Sequence, residues 1–373
     1  MIGILLVFSI ITIFSAFIAA LLIRLAHSKA WYDSTDGRKV HSGNIPRLGG
    51  LGFVPIFVVA ASVIMLLLSQ YEHFPRFLSV LIGACIIVFF GVWDDFRPLR
   101  PLAKIAVQIC AALFVVVPGY AFRRVAFFGE GLFLLQHQWL GYAITILWLV
   151  GMTNAMNMLD GIDALAGGIS LMVALTFAYI FSRYAGISSS VMICIALAGS
   201  IAGFLAFNAP VPKAKIFMGD GGSQFLGFTL ALLPLLEERY TIATLPVLYV
   251  AAIMAIPILD TTAAVVRRIR DGKPVSSPDR AHVHHKLMNL GFGSRKILAI
   301  LFGLQAVLSI LVIIALKLAD FFPVAWPSLT VLGVAYFLAI AFFTALHFMN
   351  RKALRSLSTS AQACNCVCGT QGN

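Results

Sequence analysis

Five of the chain's fifteen acidic residues stand where apolar runs end: Asp94 and Asp95 in GVWDDF, Asp160 and Asp163 in NAMNMLDGIDAL, and Asp220 in FMGDGGS. Carboxylates are costly in or beside a bilayer, so their placement there asks for a reason. Adjacent Asp94 and Asp95 repel, and such a pair favours a cation or at least one proton. Asn154, Asn157, Asp160 and Asp163 recur every three residues, which on a helix makes one slowly drifting polar stripe. A polar helix–helix contact is the plainer reading of that stripe. Gly161 can end the helix and let a ligand approach the backbone. In FMGDGGS small residues flank Asp220, and Ser223 is placed to cap the next helix and leave backbone N–H groups facing an anion. A tight interhelical loop is the alternative there.

Cations and imidazoles lie beside these acids in sequence. Arg97, Arg100 and Lys104 follow the Asp pair, and Lys213 and Lys215 precede Asp220. The loop RRIRDGKPVSSPDRAHVHHKLMNLGFGSRK carries Arg280, His282, His284, His285 and Lys286. His-x-His-His suggests zinc, but no cysteine is near and the surrounding cations oppose a metal. Donors to phosphate or to a nucleotide fit better. Asp260 in IPILDTT reads equally as a buried partner for a cation or hydroxyl and as a catalytic group. Hard oxygen ligands favour Mg²⁺ or Mn²⁺ over zinc. Phosphoryl transfer mainly requires positioning and charge neutralisation, which these residue types supply.

The elements that must position them are hydrophobic. Of 373 residues 60% are hydrophobic and 11% charged, against about 25% charged in soluble domains. Long continuous apolar runs exclude a β-barrel and predict an all-α integral membrane protein. About eleven transmembrane helices are expected, near 2–23, 48–69, 77–93, 105–119, 139–156, 164–182, 191–208, 223–236, 244–266, 297–318 and 326–349. Arg24 and Lys29 follow the first run, which suits an uncleaved span with its N-terminus outside. Eleven spans then place the C-terminus in the cytoplasm. On that topology 21 of the 27 Lys and Arg face inward, in the loops 24–47, 94–104, 157–163, 209–222 and 267–296 and in a tail expected to be disordered from 350. All five carboxylates and the histidine loop then share the cytoplasmic face. The net charge of +12 follows from orientation and from contact with anionic lipid or substrate phosphate, with no need of nucleic acid. The stretch 120–138 is expected to be an outer hairpin or re-entrant piece. Residues 1–349 read as one polytopic domain. The tail cysteines Cys364, Cys366 and Cys368 offer metal binding or acylation, with an incidental cluster favoured.

HSGNIPRLGG (41–50), WDD (93–95), NAMNMLDGID (154–163), FMGDGGS (217–223) and SPDRAHVHH (277–285) occur in one order along most of the chain. In these motifs the sequence resembles the bacterial polyprenyl-phosphate N-acetylhexosamine-1-phosphate transferases, nearest to the undecaprenyl-phosphate N-acetylglucosaminyl branch. The resemblance implies an eleven-span bundle in the bacterial inner membrane with a cytoplasmic site. It implies UDP-GlcNAc and undecaprenyl phosphate as substrates, Mg²⁺ as cofactor (Mn²⁺ as substitute), UMP as product, and initiation of O-antigen, common-antigen or teichoic-acid synthesis. A homodimer is left open. By motif, Asp220 becomes a metal ligand with Asp160 as a second candidate. Asp94 and Asp95 position or deprotonate the lipid phosphate, and Asn157, Asp160 and Asp163 line the nucleotide and metal site. Phe217 meets uracil, Lys104 meets phosphate, and Arg280, His282, His284 and His285 hold the sugar nucleotide. The sequence departs from the family's DGxDGL at Ala164, where a methyl replaces glycine beside Asp163. PDRAHVHH in place of three consecutive histidines separates it from the phospho-N-acetylmuramoyl-pentapeptide transferases. Other UDP-N-acetylated sugars and UDP-MurNAc-pentapeptide are alternative donors. A transporter and a non-catalytic scaffold are the readings outside this chemistry.

Overall fold

The computed structural model describes residues 2–29, 31, 45–68, 73–122, 138–211, 213–236, 247–275, 277, 279, 281–322 and 324–369, with side chains to Leu354 in the last segment. Among the described residues all regular structure is helical. The apolar runs fall on α1 (Ile2–Ser28), α2 (Gly49–Leu68), α3 (Phe74–Phe96), α4 (Pro101–Val116), α5 (Gln138–Leu159), α6 (Leu165–Ala185), α7 (Ser189–Asn208), α8 (Gly219–Leu236), the pair α9 (Val247–Ile253) and α10 (Ala255–Arg270), α12 (Ser294–Phe321) and α13 (Trp326–Gly369). The short α11 (Val283–Asn289) lies in the basic loop. Eight of these are long and apolar enough to cross a bilayer, and nine if the bent pair α9–α10 counts as one span. This defines a multi-pass membrane protein. α4, with 16 residues, and α8, which opens on the polar Gly-Asp-Gly-Gly-Ser-Gln, fall outside that set.

The centre of the bundle is α7 and α8. Both are buried on nearly every side, as helices without a polar face must be. α1, α2 and α6 pack on α7, while α3, α5 and α2 pack on α8. Phe53 and Phe57 of α2, Phe204 of α7 and Phe225 of α8 form a ring cluster with centroids 5.3 to 6.0 Å apart. α3 and α8 approach backbone to backbone where Gly91 meets Gly221, the close contact that small residues allow inside membranes. The site therefore rests against deeply buried helices.

The bend between α9 and α10 is 86°, and its cause is local. Pro257 has no N–H, so it cannot bond to the carbonyl four residues earlier, Ile253. Gln305 of α12 supplies the missing donor, with its Nε2 3.0 Å from Ile253 O. The break is thus stabilised from a neighbouring helix, and it aims α10 and the loop after it. At the other end, α13 carries on through residue 350. Asn350 is buried within α13 and accepts a hydrogen bond from Asn289 Nδ2 at 3.1 Å. The expected outer hairpin lies largely outside the described residues.

Candidate active site

The end of α3 and the start of α4 are folded against each other by Asp94. Its Oδ1 accepts the Leu99 N–H at 2.7 Å, and its Oδ2 pairs with Lys104 Nζ. Pro101 opens α4, where a missing N–H costs nothing and the fixed φ suits the helix. Lys104 in that first turn also reaches Asp220 Oδ2 at 3.4 Å. Asp95 faces the other way. Its Oδ1 accepts the Asp220 N–H at 3.0 Å and its Oδ2 the Gly221 N–H at 3.5 Å. Asp95 therefore caps α8 from a neighbouring helix, using the N–H groups that a helix start leaves unsatisfied. Gly219 is required at that junction. Its φ is +76°, and a Cβ would stand 2.6 Å from Asp95 Oδ2.

The chain before α2 completes this corner. Phe217 N donates to Pro46 O at 2.8 Å, Gly49 N to Phe217 O at 2.9 Å, and Gly50 N to Met218 O at 2.9 Å. This pairing lays Arg47 over the acids, 3.6 Å from Asp220 Oδ1 and 3.8 Å from Asp95 Oδ1. Asp220 is the most open of the three carboxylates, with 21% of its side chain exposed against 6% for Asp94 and 4% for Asp95. Its pKa is pushed up to about 7, first by desolvation and then by its hydrogen bond with Asp94 and the charge of Asp95. Carboxylates crowded in this way gain from a further cation.

α5 ends at Leu159, so Asp160, Gly161, Ile162, Asp163 and Ala164 form a turn rather than the end of a helical stripe. Burial, followed by the charge of Asp220, holds the Asp160 carboxyl well above the usual range. Asn157 Nδ2 donates to Ser223 Oγ at 3.2 Å. Ser223 is not the expected cap: α8 begins four residues before it, and its hydroxyl donates back to Gly219 O at 3.1 Å. Asn154 leaves the stripe for an amide cluster, receiving and giving hydrogen bonds with Gln108 of α4, which also donates to Gln224 of α8 at 3.0 Å. Its role is the helix–helix contact. Ala164, where the family pattern has glycine, has φ 66° and is the only non-glycine residue with positive φ among those described. That conformation costs an L residue about 1–2 kcal/mol. Asn208 holds it there: Oδ1 accepts Ala164 N–H at 2.8 Å and Nδ2 donates to Ile216 O at 2.8 Å. One side chain thus ties the DGIDA turn to the approach of the FMGDGG turn.

The third component is α11. His284 is buried, and its ring fills the space where a Cβ on Gly161 would lie. The contact joins the histidine loop to the DGID turn. Desolvation, and then the neighbouring His285, hold the His284 pKa down to about 4. It is neutral at physiological pH. His285 lies 4.2 Å from it and His282 6.1 Å, between ring centroids. Asp279 accepts Arg267 Nη2 at 2.5 Å and Ala281 N–H at 2.8 Å. These bonds outweigh its desolvation and hold its carboxyl below the usual range.

The structure therefore brings Asp94, Asp95, Lys104 and Asp220 into one cluster, with Asn157 bonded to the start of α8. Asp160 is coupled to it through charge, and His284 through Gly161. Asp163 and Phe217 sit half-buried in the turns that border it, and Arg280 lies outside the described residues. Sequence reasoning counted Arg47 only as orientation charge, although it stands inside the PRLGG motif. Asn208 and Gln108 carried no local signal for these roles, since Ala164 lies 44 residues from Asn208 and Asn154 lies 46 from Gln108. Among the described residues no three of His, Cys, Asp and Glu are grouped to hold one ion. Mg²⁺ needs no such cage, because it keeps several waters and commonly takes one or two carboxylates plus substrate phosphates. Asp220, with Asp160 beside it, fits that pattern.

A helical membrane bundle with acids, cations and imidazoles gathered on α3, α4, α8 and α11 is the setting of a membrane-embedded transferase. Residues 77–237 match the model of glycosyl transferase family 4. A probable undecaprenyl-phosphate N-acetylglucosaminyl 1-phosphate transferase of Bacillus subtilis (strain 168) is 35% identical, over 78% of this chain and 79% of that protein. The decaprenyl-phosphate N-acetylglucosaminephosphotransferase of Mycobacterium leprae is 33% identical, over 79% and 78%. The undecaprenyl-phosphate alpha-N-acetylglucosaminyl 1-phosphate transferase of Salmonella typhi is 32% identical, over 82% of each. The chain belongs to glycosyl transferase family 4.

Proposed function

We propose that the protein transfers N-acetylglucosamine 1-phosphate from UDP-GlcNAc to undecaprenyl phosphate, releasing UMP, with Mg²⁺ as cofactor. The bundle crosses the bacterial inner membrane eleven times, with its N-terminus outside and the site at the cytoplasmic face. There one water-soluble and one lipid substrate can meet. The product initiates an envelope polysaccharide of the O-antigen, common-antigen or teichoic-acid kind. The names of the three relatives support the sugar and the polyprenyl acceptor. The observation that carries the reading is the convergence of Asp94, Lys104, Arg47 and Asp220 within single ion-pair distances.

Lys104 has a partly exposed ammonium held between Asp94 and Asp220. It meets the phosphate of the lipid acceptor, and Asp94 orients it. Asp95 is committed to the N-terminus of α8 and holds Asp220 in place. Asp220, with Asp160 as a second candidate, would hold Mg²⁺, and the ion would supply neutralisation of the charge developing on the diphosphate. Phe217, Asn157 and Asp163 border the nucleotide, while Arg280 and His282, His284 and His285 receive the sugar diphosphate. An oxygen of the polyprenyl phosphate attacks the β-phosphorus, the bond to the UMP oxygen breaks, and UMP leaves. The test is mass spectrometry of the lipid product formed by purified protein from a panel of UDP-sugars, with Mg²⁺ and with EDTA. A lipid-diphosphate-GlcNAc product that vanishes with EDTA supports the reading. UMP formation unaffected by EDTA removes the metal, and a product from another sugar only removes GlcNAc.

A further inference from the structure

Asp260 of α10 has no part in the acid cluster, yet it is buried at 1% exposure and both its oxygens are used. Oδ2 lies 2.9 Å from His282 Nδ1, and Oδ1 accepts the Val283 N–H at 2.8 Å. His282 occupies the N-cap position of α11, with extended backbone at φ −66° and ψ 162° and no capping hydrogen bond from its own side chain. The carboxylate of Asp260 does that capping from across the loop. One residue thus fixes both where α11 begins and how the first histidine of the loop is turned.

We infer that Asp260 is a positioning residue for the transfer reaction, acting through His282. It holds the imidazole with Nδ1–H toward its carboxylate and leaves Nε2 as the nitrogen that meets a phosphate oxygen of the sugar nucleotide. The inference rests on the proposed function for the identity of the ligand.

The chemistry follows from the hydrogen bond. A carboxylate can only accept, so the ring proton between the two residues sits on Nδ1. When a phosphate approaches Nε2, a second proton there converts the ring to imidazolium. Asp260 stabilises that charge as carboxylates do for paired histidines. No bond to carbon or phosphorus forms, and only a proton from solvent is taken up. His284 does a different job. Its ring is packed on Gly161, and its Nδ1 is buried without a hydrogen-bond partner among the described residues. The groups facing the Asp260–His282 pair are His284, Lys286, and Asp279 with its partner Arg267. The histidine loop is therefore built around one anchored imidazole and one packed imidazole.

A double-mutant cycle with Asp260→Asn and His282→Gln tests this. Asparagine can still accept from Val283 N–H, but its NH₂ group faces Nδ1, which drives the resting ring to the opposite tautomer and opposes the imidazolium that carries charge to the phosphate. D260N is expected to lower kcat/KM for the UDP-sugar about tenfold or more, with KM for polyprenyl phosphate and the melting temperature near wild type. In the H282Q background D260N is expected to add nothing. Effects that multiply instead would make Asp260 a structural residue only and overturn the inference. ¹⁵N NMR of the histidines, with H282Q to assign the signal, reads the tautomer without turnover. A His282 Nδ1 that is unprotonated in wild type, or unchanged in D260N, also overturns it. Should wild-type protein release no UMP from any donor, the functional reading fails and the NMR result alone decides the role of Asp260.

Discussion

The acid cluster and the histidine loop stand on opposite terms with water and charge. In the cluster, three carboxylates share two cations, Arg47 and Lys104, and both cations are about a third exposed. In the loop, His282 and His284 are buried almost completely, as is Asp260 of α10 beside them, and Asp260 has each oxygen matched to one donor. The first region is crowded with charge that a divalent ion and phosphates can rearrange. The second is already arranged, so it recognises by shape and by fixed donors. On the proposed function, chemistry falls to the first region and donor recognition to the second. The contact of His284 with Gly161 joins the two.

The contrast can be broken first at Asp220. Asp220→Asn is expected to reduce transfer on the order of 10³-fold while the protein still inserts and binds UDP-sugar, as read by UMP release and equilibrium binding. Near-normal turnover at ordinary Mg²⁺ would move the metal elsewhere. Second, Asp94 and Asp95 should separate despite their adjacency. Asp94→Asn, whose amide oxygen can still accept the Leu99 N–H, is expected to lower kcat about 10²-fold through the loosened Lys104, with a smaller drop in melting temperature than Asp95→Ala. Asp95→Ala is expected to cost about 1–2 kcal/mol of stability through the lost cap, seen as a lower melting temperature in detergent. Identical phenotypes for the two would contradict their division into substrate and cap.

The loop is probed by pH. His284 has a folded pKa of about 4 against 6.5 unfolded. Above 6.5 neither state binds the proton, and stability is complete. As pH falls from 6.5 toward 4 the unfolded state takes the proton first, so stability declines by up to about 3 kcal/mol. Replacing His284 by Gln should flatten that decline in a melting series between pH 7 and 5. An unchanged slope would show that the ring is not buried neutral. The smallest effect is expected at Ala164. With φ at 66°, Ala164→Gly relieves strain but adds unfolded-state entropy, for a net gain of less than about 1 kcal/mol. Its check is a melting temperature raised by a degree or two.

Much of the molecule was legible in the sequence because a bilayer demands long apolar runs. Every such run coincides with a helix or with the broken pair, and three of the acids at their ends, Asp94, Asp95 and Asp220, meet in one cluster. What the sequence could not supply were contacts between helices. The two carboxylates of WDD look equivalent by periodicity. Only the position of Gly219–Gly221 across from Asp95 makes one of them a cap. The stripe from Asn154 to Asp163 required a helix that continues, and it stops at Leu159. Ser223 seemed a cap because its apolar run starts there, but Asp95 starts α8 earlier. In the sequence Asp260 reads equally as a buried partner and as a catalyst. Its partner, His282, is 22 residues further on, beyond any local pattern. Ala164 was legible as a departure, and its left-handed backbone was not.

The central claim is that the Asp220 cluster performs the transfer and that the histidine loop only presents the donor. The most direct measurement is single-turnover UMP release by wild type, Asp220→Asn and His284→Gln, with UDP-GlcNAc binding followed in parallel. The account predicts that Asp220→Asn binds donor but does not turn it over. It predicts that His284→Gln binds donor weakly, yet turns over what it binds at close to the wild-type rate. Loss of turnover at saturating donor in His284→Gln, or retained turnover in Asp220→Asn, would contradict it.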